Sequence, residues 1–246
     1  MFKLLILLSI LCSTGNLHSL AQSPQLYELK AGQIFKQAMP LHARYGYESF
    51  QAGEVSFIDG KSAKGRFNYN YFYAAMEFIS TNGDTLLLTN AYRIQKVAIG
   101  EDLYLHYYTQ GYFQQLAEFA HLKLARKRQL LLKKIKSKNP VRNGYEPRGP
   151  SISGVSLLDP AVDYSISYSR VYENPCQEDL LFAKETSFYL IDKNQRLYPA
   201  TKTTFLKFYS KNKKDIHQYL QANSINFKKE EDLLNLLSYC SQLGTL

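Results

Sequence analysis

Two turn dipeptides set inside alternating apolar runs constrain the fold of this chain more than any other feature. Asp59-Gly60 follows Val55 and Phe57 and precedes Phe67, Tyr69, Tyr71 and Tyr73, which alternate with Arg66, Asn68 and Asn70. Asn82-Gly83 stands between Met76 and Phe78 on one side and Leu86 and Leu88 on the other. Asp-Gly and Asn-Gly supply the positive φ angles of tight hairpins, and a period of two puts every second side chain on one face. Arg93 to Ile99 and Leu103 to Tyr108 repeat the pattern around the Gly100-Glu101-Asp102 turn. Short strands joined in this way form an antiparallel meander that closes into a sandwich or small barrel. The 20 Tyr and 14 Phe suit it, because rings pack well on pleated surfaces.

Tyr112 to Lys138 satisfies both periods. As a helix, Phe113, Leu116, Ala117, Ala120, Leu124, Leu131 and Ile135 form a stripe with no Gly or Pro to break it. As strands, Leu122 and Leu124 flank Lys123, and Leu130 to Leu132 make a short buried run. The meander before it favours two more strands, which is the expectation. Asn139 to Pro160 holds four prolines and three glycines and reads as a loop or linker. Alternation returns at Val162, Tyr164, Ile166, Tyr168 and Tyr172, and a further strand is expected over Ser187–Ile191. Beyond Pro199 the period becomes helical: Phe205, Leu206, Phe208 and Tyr209, then Ile216, Tyr219 and Leu220. A last helix capped by Asn226 carries Glu230, Glu231 and Asp232 near its positive end, with Leu233, Leu236, Leu237, Cys240 and Leu243 as its apolar face. The expected class is α+β, an antiparallel β-meander followed by a short helical C-terminal region. The expected organisation is 1–21 signal peptide, 22–138 β-rich region, 139–160 loop or linker, and 161–246 strands followed by helices.

The signal peptide rests on Lys3, the apolar run Leu4 to Cys12, and small residues at Ser19 and Ala21 before Gln22. Cys12 raises a lipoprotein alternative, but Leu11 fills a position where that processing needs Gly, Ala or Ser. Export to the periplasm or the extracellular space is expected, without a later transmembrane segment. Cys176 and Cys240 survive cleavage; in an oxidising compartment they could pair, or Cys240 could serve as a buried small hydrophobe.

The spacing Gly53-x-Val55-x-Phe57-x-Asp59-Gly60, then Gly65-x-Phe67-Asn68-Tyr69-Asn70 and Met76-Glu77-Phe78, resembles a family of small exported proteins from one Gram-negative lineage. Phe205-Leu206-Lys207, and Asn226 through Leu233, are similar to that family's helical tail. The matched segments cover about a third of the mature chain. The resemblance implies export and a β-then-helix order, and carries no catalytic residue with it.

Motifs for chemistry are sparse. No Walker loop and no GxGxxG precedes a helix, so no cofactor is expected. Gly149-Pro150-Ser151-Ile152-Ser153 has a serine where a nucleophile elbow needs its second glycine. His42, His106, His121 and His217 are unpaired at helical spacing and read as surface or half-buried side chains rather than metal ligands. Glu101-Asp102, Glu178-Asp179 and Glu230-Glu231-Asp232 read as turn and helix-start chemistry. The tyrosines of 69–73 could form a platform for sugar rings, though a packing role is the simpler reading.

One feature suggests a partner. The formal charge is +9, and nine basic residues with no acid lie between Phe119 and Tyr145. Within it Lys123, Arg126, Lys127, Arg128, Lys133 and Lys134 are the candidate binding residues, for an anionic envelope polymer or a membrane surface. A solvated basic face is the competing reading. In the strand reading, alternate basic residues share one face and concentrate the field. The functional expectation is an exported cell-envelope protein, a non-enzymatic binding or interaction module whose partner is unknown and could be another envelope protein. Two alternatives stand beside it: a polyanion binder through 123–142, and an enzyme whose site is assembled from distant residues.

Overall fold

The computed structural model describes residues 25–88, 91–119, 122–136 and 171–243. Within these, eleven strands form one antiparallel sheet. They are β1 (Gln25–Leu29), β2 (Gln51–Phe57), β3 (Ser62–Asn70), β4 (Ala75–Ile79), β5 (Thr85–Leu87), β6 (Ile94–Ile99), β7 (Asp102–Tyr107), β8 (Gly111–Phe119), β9 (Leu122–Lys136), β10 (Asp179–Asp192) and β11 (Leu197–Pro199). Two one-turn helices, α1 (Phe35–Ala38) and α2 (Leu41–Arg44), lie between β1 and β2. The C-terminal region is helical: α3 (Lys202–Phe208), α4 (Lys213–Asn223) and α5 (Glu230–Gln242). The α+β order is as expected, and the described residues between 112 and 136 form two strands, β8 and β9.

The strand order is β1-β10-β9-β8-β7-β6-β2-β3-β4-β5, with β11 on the same side of β10 as β1. Gly60 and Gly83 hold φ of 83° and 87°, so both turn dipeptides do what their composition dictates. Closure takes the form of a curl. The Leu130 N–H of β9 donates to the Tyr71 carbonyl at 2.8 Å, although four strands separate β3 from β9 in the sheet. The Tyr69 hydroxyl donates to the Arg128 carbonyl at 2.9 Å across the same approach. Between β2 and β3, Gly53 faces Gly65, and the Phe67 ring covers both. A Cβ on Gly53 would stand 2.3 Å from the Ala98 carbonyl oxygen of β6, so only glycine lets these strands meet.

Three apolar clusters hold the fold. The first fills the curl with Phe35, Met39, Val55, Phe67, Tyr69, Tyr71, Val97, Tyr104, Leu130 and Phe182 among its buried members. Phe35 stands 4.4 Å from Phe72 and 5.3 Å from Phe182, ring centre to ring centre. The second joins Leu122, Leu124, Phe188 and Leu190 of the sheet to Phe205, Ile216, Leu233, Leu236, Leu237 and Cys240 of the helices. The third, Phe113, Ala125 and Ile191, has Tyr189 and Leu197 packed against it. Tyr69 and Tyr71 are core residues, not a platform.

Three local expectations change, and the open question of the cysteines takes its second form. The strand expected over Ser187–Ile191 begins eight residues earlier, because Leu180 to Ala183 form an unbroken apolar run, with Leu180, Phe182 and Ala183 buried and Leu181 half-buried, and a register shift follows Leu181. Tyr172 belongs to a helical turn at 171–173, not a strand. Asn226 does not cap the last helix: α5 starts at Glu230. Asn226 instead accepts the Lys228 N–H and donates its own N–H to Asp232 Oδ2 at 2.7 Å, tying the preceding turn to the helix start. Cys176 and Cys240 are free thiols, buried in the first and second clusters respectively. Residues 1–21, 139–160, the 162–168 alternation and His121 lie outside the described residues.

Candidate functional site

Strand geometry decides where the basic residues go. Along β9, Leu122, Leu124, Arg126, Arg128, Leu130 and Leu132 share one face, while Lys123, Lys127 and Lys133 share the other. Leu122 and Leu124 lie under the helices, and Leu130 and Leu132 face the curl. Arg126 and Arg128 therefore form a polar seam between two apolar cores.

The seam is built by cross-strand register. Tyr104 of β7 pairs with Gln114 of β8, which pairs with Arg126 of β9. Gln114, 6 % exposed, uses both ends of its amide. Its Nε2 donates to Asp102 Oδ1 at 2.7 Å. Its Oε1 accepts from Arg126 Nη2 at 2.7 Å and Nε at 3.3 Å, and from Arg128 Nη2 at 3.3 Å. The Tyr47 hydroxyl donates to Asp102 Oδ2 at 2.5 Å and lies 3.0 Å from the Tyr104 hydroxyl. Arg126 Nη1 donates to Glu230 Oε2 at 2.5 Å in the first turn of α5, joining sheet to helix. Carboxylate, amide and guanidinium thus alternate across three strands and end on a second carboxylate.

The other cations of β9 whose side chains are described also have partners. Arg128 lies 5.3 Å from the centre of the Tyr71 ring, and Lys184 of β10 lies 3.9 Å from the same ring. Lys184 Nζ donates to the His42 carbonyl at 3.0 Å; burial, with Arg128 beside it, pushes this amine down to about 8. Lys127 Nζ donates to the Gln110 carbonyl at 2.7 Å and sits against the Phe113 ring, and burial lowers its pKa. Lys123 pairs with Glu118 at 3.6 Å and Lys133 with Glu185. Burial, then Arg128, draws Arg126 below the ordinary guanidinium value. Lys134 is described through its backbone alone. The structure brings Arg126 and Arg128 together and sends Lys123, Lys127 and Lys133 to the opposite face.

A second buried polar group lies near α2. The Asn70 amide nitrogen donates to Glu77 Oε1 at 3.1 Å and contacts the Tyr172 hydroxyl at 3.2 Å, and the Tyr172 and Tyr45 hydroxyls are 3.4 Å apart. Burial raises the Glu77 pKa, an effect reduced by the Tyr45 hydroxyl and the Asn70 amide.

Chemically, among the described residues neither cluster pairs a Ser, Thr or Cys with a base, and the one hydroxyl hydrogen-bonded to a seam carboxylate is that of Tyr47. Burial, reinforced by Asp102, raises the Tyr47 pKa, so its hydroxyl is a hydrogen-bond donor rather than an incipient phenolate. His106 packs on Tyr112 at 4.5 Å, and burial lowers its pKa. His42 lies against Tyr27. Among the described residues no three His, Cys, Asp or Glu side chains are gathered to hold a metal ion. The acidic clusters divide: Asp179 accepts the Ala31 N–H at 2.9 Å and Asp232 that of Asn226, whereas Asp102 and Glu230, read from the sequence as turn and helix-start residues, accept from side chains of the seam.

Sequence reading did not assemble Tyr47, Asp102, Tyr104, Gln114, Lys184 and Glu230 with Arg126. One signal was present: Gln114 is a polar interruption between Tyr112 and Leu116 in an otherwise apolar alternation. Comparison of the chain with family models, with curated proteins and with solved structures gives no match.

Proposed function

We infer that this chain is an exported protein of the cell envelope that works as a binding or interaction module without turnover of its own. The observation that carries this reading is the closed character of the seam. Asp102, Gln114, Arg126 and Glu230 engage one another, none has a Ser, Thr or Cys hydrogen-bond partner among the described residues, and burial holds the Tyr47 hydroxyl beside Asp102 in its protonated form. The N-terminal pattern supports export, and no described helix is long and apolar enough to cross a membrane. The polyanion reading draws less support, because each described side chain of the candidate set has an intramolecular partner.

The test is a panel of ester, peptide, glycoside and phosphoester substrates offered to the purified mature protein. No turnover above buffer is expected. Hydrolysis that disappears on Asp102→Asn or Glu77→Gln, with the fold intact, would overturn the reading.

A further inference from the structure

We propose that one end of the sheet, where Ile58, Tyr92 and Tyr108 project from three neighbouring turns, docks on an anionic lipid surface. It rests on the export reading only for which membrane the protein meets. Ile58 is 67 %, Tyr92 60 % and Tyr108 71 % exposed. Single exposed apolar residues are ordinary; three from adjoining strand ends are not. β2 ends at Phe57 beside the start of β6 at Ile94, and β7, next to β6, ends at Tyr107 at the same end of the sheet. The Ile58 N–H donates to the Arg93 carbonyl at 2.8 Å, which joins the first two turns.

Charge selects the occupant. Lys61, Lys64, Arg93 and Lys96 are exposed around this rim, against Glu54 and Asp59. Asp59 is already engaged by Arg93 at 2.9 Å. Tyrosine suits the headgroup level of a bilayer, where its ring meets acyl chains and its hydroxyl meets water. An aliphatic tip beside it, with lysines behind, adds apolar burial to attraction for anionic headgroups. A protein partner of equal apolarity would not call for the surplus of cations.

The chain contains no Trp, so a single Tyr108→Trp reports the rim without background. The purified mature protein is mixed with phosphatidylcholine vesicles, with and without phosphatidylglycerol, and binding is read by flotation. Expected are co-flotation with the anionic vesicles at low salt, loss at high salt, and a blue shift of the indole emission from the Tyr108→Trp variant. Combined Ile58→Ser, Tyr92→Ser and Tyr108→Ser should weaken partitioning at least about tenfold, given the apolar surface removed. Lys61→Gln with Lys96→Gln should weaken it several-fold and flatten its salt dependence. These side chains are exposed, so the folded state is retained, and circular dichroism checks it. Failure of the wild type to float with anionic vesicles at low salt overturns the proposal and turns the rim over to a protein partner. So does flotation that survives the apolar substitutions. Either outcome leaves the interaction-module reading standing, which falls only to turnover in the substrate panel.

Discussion

Arg126→Met removes the guanidinium at the centre of the seam while keeping most of the apolar stem. Two losses follow. Gln114 Oε1 gives up its donors at 2.7 and 3.3 Å and keeps only Arg128 at 3.3 Å, within a residue 6 % exposed. Hydrogen bonds of a charged donor to a buried acceptor contribute about 1.5–3 kcal/mol. Glu230 loses its pair, but that carboxylate is 37 % exposed, so solvent screening holds this share to about 0.5–1 kcal/mol. Against these stands a gain of about 1 kcal/mol, because a guanidinium with a 20 % exposed side chain no longer has to be desolvated. The net expectation is a destabilisation of about 1–3 kcal/mol. In urea unfolding with a slope of about 2 kcal/mol/M, the midpoint should fall by roughly 1 M. Glu230→Gln should cost no more than about 1 kcal/mol in the same assay. A midpoint unchanged by Arg126→Met would refute the seam as a structural element. Equal costs for the two variants would refute the assignment of most of the energy to Gln114.

Three further outcomes are specific. Gly53→Ala forces a methyl to within 2.3 Å of the Ala98 carbonyl, and should destabilise by about 1–3 kcal/mol in thermal or urea unfolding. Glu77 has a pKa raised by burial, so the folded state holds its proton to higher pH than the unfolded chain does. Its contribution is complete below the ordinary value of 4.5 and is lost as pH rises through the folded pKa; Glu77→Gln should therefore raise the neutral-pH melting temperature and flatten the fall above about pH 4.5. The Cys240 thiol is fully buried and pushed up to about 12, so alkylation at neutral pH should spare it in the native protein and reach it in urea, as mass spectrometry would report.

The meander was legible because its turns are local: Asp59-Gly60 and Asn82-Gly83 encode their own backbone angles. β9 was ambiguous because Leu, Lys and Arg are good helix formers. Its state is decided by pairing with β10 along nearly its whole length, a partner more than forty residues away in sequence. The first half of β10 was hidden because Leu180 to Ala183 do not alternate. α1 and α2 are single turns without side-chain caps, held by contacts such as the Gly46 N–H on the Tyr69 carbonyl. The seam was illegible for a related reason. Arg126 and Glu230 are 104 positions apart, and nothing in a charge run tells which face of a strand it will occupy. The basic residues were visible as a cluster; the packing of Arg126, Lys127 and Arg128 against intramolecular partners was not.

That packing of the β9 cations is tested most directly by residue-resolved labelling of the native protein with an amine-reactive reagent, read by mass spectrometry. Lys61, Lys64 and Lys96 are exposed and should be modified rapidly. Lys127, donating to the Gln110 carbonyl beside the Phe113 ring, should stay protected until urea opens the fold. Modification of Lys127 as fast as Lys61 would contradict the account, and would return β9 to the surface as a basic face open to a polyanion.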